Sequence, residues 1–237
     1  RIQGEGGFGI VRGMQYTNPD LESSYRENNL GKDLYDAVLR HKPKKIVEFG
    51  SFYGYSTVAM AMALDELGEG GHIYVYDLFD SYLFTHSAHK HTSAESLAKK
   101  GTLGYYLEAL RMDWRMWLRP ARNIITTDEL RRNLEKYGVA KYVTITKKNF
   151  VDWAKEPEAF DMMHFDINNT GDKIRMLYQA VKPAIDAGAV VYIEGGSADR
   201  DKLSFMENHN LEKLTESGVP YRVVNEKFPS LSVIEKI

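Results

Sequence analysis

The sequence predicts an α/β fold: a three-layer sandwich whose mostly parallel, seven-stranded sheet closes with a C-terminal antiparallel hairpin. Three observations carry this. Strand-like and helix-like stretches alternate along the chain, the pattern of strands joined by helical crossovers. A glycine-bent turn, Gly50 to Gly54, stands between the first such strand and the first such helix. The last two strand-like stretches are separated only by residues 225–230, short enough for a hairpin.

The elements follow in order. Residues 45–49 (KIVEF), after Pro43, form the first strand. A helix over 56–67 places Val58, Met60, Ala63, Leu64 and Leu67 at apolar positions and stops at Gly68, Gly70 and Gly71. The second strand is 73–76, closing on Asp77, and the third comes only at 142–146. The intervening 78–140 is longer than an ordinary crossover and reads as an insertion or lid. Helices are expected in it at 107–118 and 128–137, the second opened by an N-cap and capping box at Thr126-Thr127-Asp128-Glu129. Residues 162–165 are the fourth strand, 172–181 a helix and 189–193 the fifth strand. A helix near 203–214 precedes the last two strands, 221–224 and 231–235. Residues 1–237 read as one domain, with 1–40 as an N-terminal cap segment crossing the mouth of the cleft. Arg12, Tyr16 or Tyr25 could reach a ligand from there.

Composition narrows the function. A chain of 237 residues can bury a full core without disulfide or metal staples. Formal net charge is −2 with no long block of one sign, which argues against nucleic acid, since neutralising phosphates needs clustered Lys and Arg. Arg131-Arg132, beside Glu129 and Glu135, reads as a solvated helix face. No apolar run approaches the roughly 18 residues of a membrane span. The absence of cysteine removes disulfides, thiolate zinc sites and cysteine nucleophiles, and fits a reducing compartment. A cytoplasmic location is expected.

The most informative stretch is Val47-Glu48-Phe49-Gly50-Ser51-Phe52-Tyr53-Gly54-Tyr55-Ser56-Thr57, where a buried strand meets a helix. Ligands of open α/β sheets bind outside the carboxyl ends of the strands. Gly50 lets the chain turn sharply and Gly54 lets the helix start approach a ligand. Ser56 or Thr57 can cap exposed amides. An acid before the first glycine would repel a pyrophosphate but attract an ammonium. The dinucleotide fingerprint, with a second glycine two positions after the first, is absent.

This stretch resembles the first motif of class I, Rossmann-like, S-adenosylmethionine (SAM)-dependent methyltransferases, acid-x-Gly-x-x-x-Gly. The resemblance implies that Gly50, Ser51 and Gly54 wrap the amino-acid part of SAM. It implies that Glu48 binds the amino group, directly or through water, with Ser56 nearby. Asp77, ending the second strand, has the place of the acid that accepts the ribose hydroxyls. Lys147-Lys148-Asn149-Phe150 has the place of the adenine contacts. Asn149 would pair with the base edge and Phe150 would pack on its face, unless the stretch is only a polar turn followed by a core aromatic. The closing antiparallel strands match the family too.

The stretch from Asp161 to Asp172 is dense in polar groups after an apolar strand, and Glu194-Gly195-Gly196 ends the next strand. Oxygen ligands at adjacent strand tips suit Mg²⁺ or another divalent cation. The chain here resembles the metal-dependent macrolide and sugar O-methyltransferase branch, which carries an acid at the fourth strand end and an acidic pair at the fifth. Asp166 matches the first acid. Glu194 matches one of the pair, since Gly195 follows it, and Asn169 stands where some members have His. Asp166, Glu194 and Asn168 are the metal candidates. Asp166 is the first candidate for base. His164, two residues earlier and so on the same strand face, is the second, with a satisfied core histidine as the other reading.

In the insertion, His86, His89 and His91 suit no compact zinc motif and read as part of a substrate-contacting lid or a solvated loop. Trp114 and Trp117 share a helix face and read as core or dimer packing, or as a platform for an acceptor. The sequence thus predicts an enzyme that moves a methyl from SAM to a small-molecule acceptor, a hydroxyl oxygen of a sugar or secondary metabolite, in a chain that could be a homodimer. An NAD(P)-dependent oxidoreductase on a related fold and a non-catalytic SAM-binding module are the alternatives.

Overall fold

The structure is a computed structural model that describes residues 15–23, 25–68, 70–79, 126–167, 170–194, 201, 210–227 and 231–236. Among them, seven strands form one sheet: β1 Lys45–Phe49, β2 His72–Asp77, β3 Val143–Lys147, β4 Met162–Phe165, β5 Val190–Glu194, β6 Arg222–Val223 and β7 Leu231–Ile234. Their order is β3-β2-β1-β4-β5-β7-β6. The first five run parallel, while β7 lies antiparallel to both β5 and β6. The expected architecture, hairpin included, is the one observed. Strand order reverses between β1 and β4, so a cleft is expected where their carboxyl ends diverge.

The central strands are buried on both faces and read as near-continuous apolar runs. One face carries α1, Leu30–His41, and α2, Tyr55–Leu67. α2 is buried nearly all round, because α1 covers the side turned away from the sheet. The close approach needs Gly31, where a Cβ would lie 3.1 Å from the Cβ of Ala59 and 2.9 Å from the Tyr16 hydroxyl. The sequence reading took 30–41 only as part of a cap segment. Its apolar stripe of Leu30, Leu34, Ala37 and Val38 marks a helix, but Asn29 at the N-cap makes no side-chain cap, so the usual start signal is missing.

The insertion ends in α3, Thr127–Lys136, with the Thr126 hydroxyl accepting from the Glu129 amide at 3.2 Å. The expected helix at 107–118 lies outside the described residues. The other face of the sheet carries the short α4, Phe150–Trp153, and α5, Gly171–Asp186. α5 outruns the expected 172–181 and passes through Pro183, because its buried stripe of Ile174, Leu177 and Val181 continues to Ile185. Of the helix expected near 203–214, residues 210–213 are turn and irregular chain. A single 3-10 turn starts at Leu214, where the Asp201 carboxylate accepts from the Leu214 and Thr215 amides at 2.8 and 2.9 Å. Asp201 therefore starts a turn where the sequence suggested a helix end.

Candidate active site

The site is built at the carboxyl ends of β1, β2 and β4. After Phe49 the chain turns through Gly50, at φ +85°, and Gly54, at φ +89°, both in the left-handed region. A Cβ on Gly50 would lie 2.2 Å from the Asp166 carbonyl oxygen, and the Asp166 amide donates to the Phe49 carbonyl at 2.9 Å. Gly50 is therefore needed to seat the turn on the end of β4. A Cβ on Gly54 would lie 2.6 Å from Leu130 Cδ1 of α3, so the start of α2 also packs closely against α3 at this point. Phe52, between the glycines, also has a positive φ, 48°, which a bulky residue seldom adopts. Phe79, two residues after Asp77, has φ 47°. These held conformations flank the cleft and no motif announces them.

Asp77 ties β2 to the turn. One carboxylate oxygen accepts from the Ser51 amide at 3.1 Å and the Ser51 hydroxyl at 3.4 Å, and the other accepts from the Phe79 amide at 3.4 Å. Burial pushes its pKa above the ordinary carboxylate value, against the opposing pull of those amides. The Lys148 amide donates to the Asp77 carbonyl at 3.1 Å, which puts the β3 exit beside it. Asn149 caps α4, its side chain accepting from the Val151 amide at 2.9 Å. Phe150 is buried, with its ring centroid 5.3 Å from that of Phe49 and 4.9 Å from that of Phe165. Of the two readings the sequence leaves open, the structure matches the core aromatic.

Glu48 and His164 lie under the turn and are fully buried. Ser56 and Thr57 donate to the two Glu48 carboxylate oxygens at 2.6 and 2.5 Å, and His164 Nδ1 lies 3.0 Å from one of them. His164 therefore has no access to a substrate and is set aside as a base. The Ser56 hydroxyl is thus engaged with the buried Glu48. Asp166 stands half-buried at the tip of β4. Phe165 and Ile193 are paired in register, so Asp166 and Glu194 occupy the next positions on neighbouring strands. The Glu194 side chain, Asn168, Asn169, Arg12, His86, His89, His91, Trp114 and Trp117 lie outside the described residues. Among the described residues, no group of three His, Cys, Asp or Glu is placed to hold a metal. Nor does any described helix have the length and apolarity to cross a membrane.

The N-terminal segment is fastened over α2. Tyr16 donates to Asn29 Oδ1 at 2.6 Å, Tyr55 donates to Asn18 Oδ1 at 2.8 Å, and the Gly31 amide donates to the Tyr55 hydroxyl at 3.1 Å. Burial first, and then Tyr55, push the Tyr16 pKa well above the usual phenol range. Tyr16 and Tyr25 pack against the aliphatic core.

A sheet of this order, with a glycine turn leaving β1 and an acid ending β2, defines a Rossmann-like α/β domain with a nucleoside-type cleft. The chain belongs to the family described as "Methyltransferase domain", whose model matches residues 47–194, more than half of its length. The match runs from inside β1 to the last residue of β5. Among solved structures, the chain is similar to cofactor-bound Rv0187 from MTB, at 16% identity and a TM-score of 0.42, covering 75% of this chain and 59% of that one. It is also similar to the O-methyltransferase TomG from Streptomyces achromogenes, involved in tomaymycin synthesis and solved in complex with SAM. There identity is 18%, the TM-score 0.46, and coverage 91% of this chain and 81% of that one. With the O-methyltransferase from Bacillus cereus in complex with SAH the figures are 14%, 0.49, 92% and 84%. The chain thus spans less than two thirds of the Rv0187 structure but most of the other two. No curated protein matches it in sequence.

Proposed function

We propose that the chain transfers a methyl group from SAM to a hydroxyl oxygen of a small molecule, a sugar or a secondary metabolite. The observation that carries this is the Asp77 carboxylate, set at the tip of β2 and held 3.1 Å from the amide of the glycine turn. An acid there suits the two hydroxyls of a ribose and is misplaced for a phosphate. The donor set fits an adenosine with a cationic arm: Asp77 for the ribose, Asn149 beside it, and the Gly50–Gly54 turn for the arm. Phe150 takes no part. Bound in this cleft, SAM supplies a methyl already activated as a sulfonium.

What remains for the protein is to align the acceptor and to remove its proton. Asp166, at the switch point between β1 and β4, is the group for that proton. With Glu194 and Asn168, Asp166 would also hold a divalent cation, which would lower the acceptor's pKa. Residues 78–140 would cover the acceptor side, and residues 1–40 the mouth, of a single domain spanning 1–237. The expected setting is the cytoplasm, without a nucleic acid or membrane partner, as a monomer or homodimer.

The test is transfer of a labelled methyl from SAM to a panel of sugar and phenolic hydroxyls, with and without a chelator. Product carrying the label on oxygen, lost in Asp166→Ala, is the expected result. Label on nitrogen only, or transfer that survives loss of both Asp166 and Glu194, would overturn the acceptor and the base.

A further inference from the structure

Beneath the glycine turn lies a closed set of polar side chains. Along β1, side chains alternate between the two faces: Val47 and Phe49 enter the aromatic core, and Ile46 the aliphatic one. Glu48 shares the Ile46 face, where α2 packs. It is 0% exposed, as are Thr57 and His164, and Ser56 is 7% exposed. Ser56 and Thr57 belong to the first turn of α2, and His164 pairs in register with Glu48 on β4.

A carboxylate removed from water is tolerated when its oxygens are met by donors. Here Ser56 donates to one oxygen at 2.6 Å, Thr57 to the other at 2.5 Å, and His164 Nδ1 lies 3.0 Å from the first. All three partners come from the protein. The carboxylate joins β1, β4 and the start of α2, the three elements that frame Gly50 to Gly54. With 0% of its surface exposed and its oxygens met by these partners, Glu48 presents no open face to an ammonium in the cleft.

We infer that Glu48 is a positioning residue. It fixes the turn that receives the amino-acid arm of the methyl donor, by pinning α2 to β1 and β4, and does not touch the donor's amino group. This departs from the contact that the family resemblance implies for the same acid, and it rests on the methyl-donor reading above.

Two ligands separate the roles: S-adenosylhomocysteine (SAH) and its analogue lacking the α-amino group. A residue that binds the ammonium discriminates between them, whereas one that acts through the turn does not. Dissociation constants are measured by calorimetry on folded protein for the wild type, Glu48→Ala, Glu48→Gln and Ser56→Ala. Glu48→Ala is expected to weaken both ligands by the same factor, about tenfold, as three buried donors lose their acceptor. Glu48→Gln, with the same reach and one acceptor oxygen, recovers part of that loss for both. Ser56→Ala produces a smaller, equal loss, and with Glu48→Gln it carries the test should Glu48→Ala fail to fold. A loss on SAH that vanishes with the deamino analogue would put Glu48 at the ammonium and overturn the inference, as would unchanged affinities in every variant. A wild type that binds neither ligand overturns the methyl-donor reading itself.

Discussion

The two faces of the sheet are built from different materials. Against α1 and α2 the core is mostly Leu, Met, Ala, Val and Ile with scattered Tyr35, Tyr55 and Tyr192, and Gly31 meets Ala59 at the closest approach. On the other face the aliphatic stripe of α5 is joined, around α4, by an aromatic block of Phe49, Phe150, Trp153, Phe160 and Phe165, largely edge to face, with centroids 4.9 to 6.4 Å apart. The small-residue face lets α2 come near enough for two hydroxyls to reach a carboxylate on β1. On the aromatic face the described carboxylates sit away from the turn: Glu158 accepts from Trp153 Nε1 at 3.2 Å and from Tyr76 and Lys45, and Asp201 accepts from the Leu214 and Thr215 amides. The hydrogen-bonded set under the turn therefore lies on the α1 and α2 face, and the packed rings lie on the other.

Gly50 joins the two faces, and its loss should have the largest effect. In Gly50→Ala the new Cβ meets backbone at 2.2 Å, which cannot move aside as a side chain would, and φ is +85°. A destabilisation above ~4 kcal/mol is expected, read by denaturant unfolding. A loss under ~1 kcal/mol would mean that the turn is not seated on β4 as described.

Trp153→Ala separates stability from binding. Removing this 1% exposed ring should cost about 3–5 kcal/mol while SAH affinity of the folded protein stays nearly constant. A large fall in affinity without a fall in stability would break the division between the faces.

A smaller effect concerns pH. The Asp77 pKa is raised above its ordinary value of 3.8, chiefly by burial, so ionising it opposes folding. Its contribution is fully present below that value and is lost as pH rises through the raised one. Unfolding curves should therefore show the wild type losing stability relative to Asp77→Asn as pH rises from 3.8 toward neutrality. A difference that stays flat with pH contradicts the assignment.

Much of this was legible in the sequence, for reasons that differ by element. Strands 45–49 and 162–165 were bounded correctly, since their apolar runs end in glycine or acid. The turn and Asp77 were legible from spacing. Alternation put His164 on the same strand face as Asp166, but it could not show that the partner there is Glu48, 116 residues away in sequence. Motif spacing marked Glu48 as polar and important, but not which groups meet it. Phe150 illustrates the same limit: a polar turn followed by an aromatic reads alike whether the ring faces a ligand or the core. Helix α1 escaped because its N-cap lacks a side-chain bond, and the turn at Leu214 because a carboxylate 13 residues away starts it.

The central claim is that the cleft at the tips of β1 and β2 holds an adenosine through Asp77. Calorimetric titration of SAH, and separately of NAD, into the wild type and Asp77→Asn tests it most directly. Saturable binding of SAH alone, weakened about tenfold or more in Asp77→Asn, is the expected result. Binding of NAD without SAH, or SAH affinity indifferent to Asp77, would contradict it.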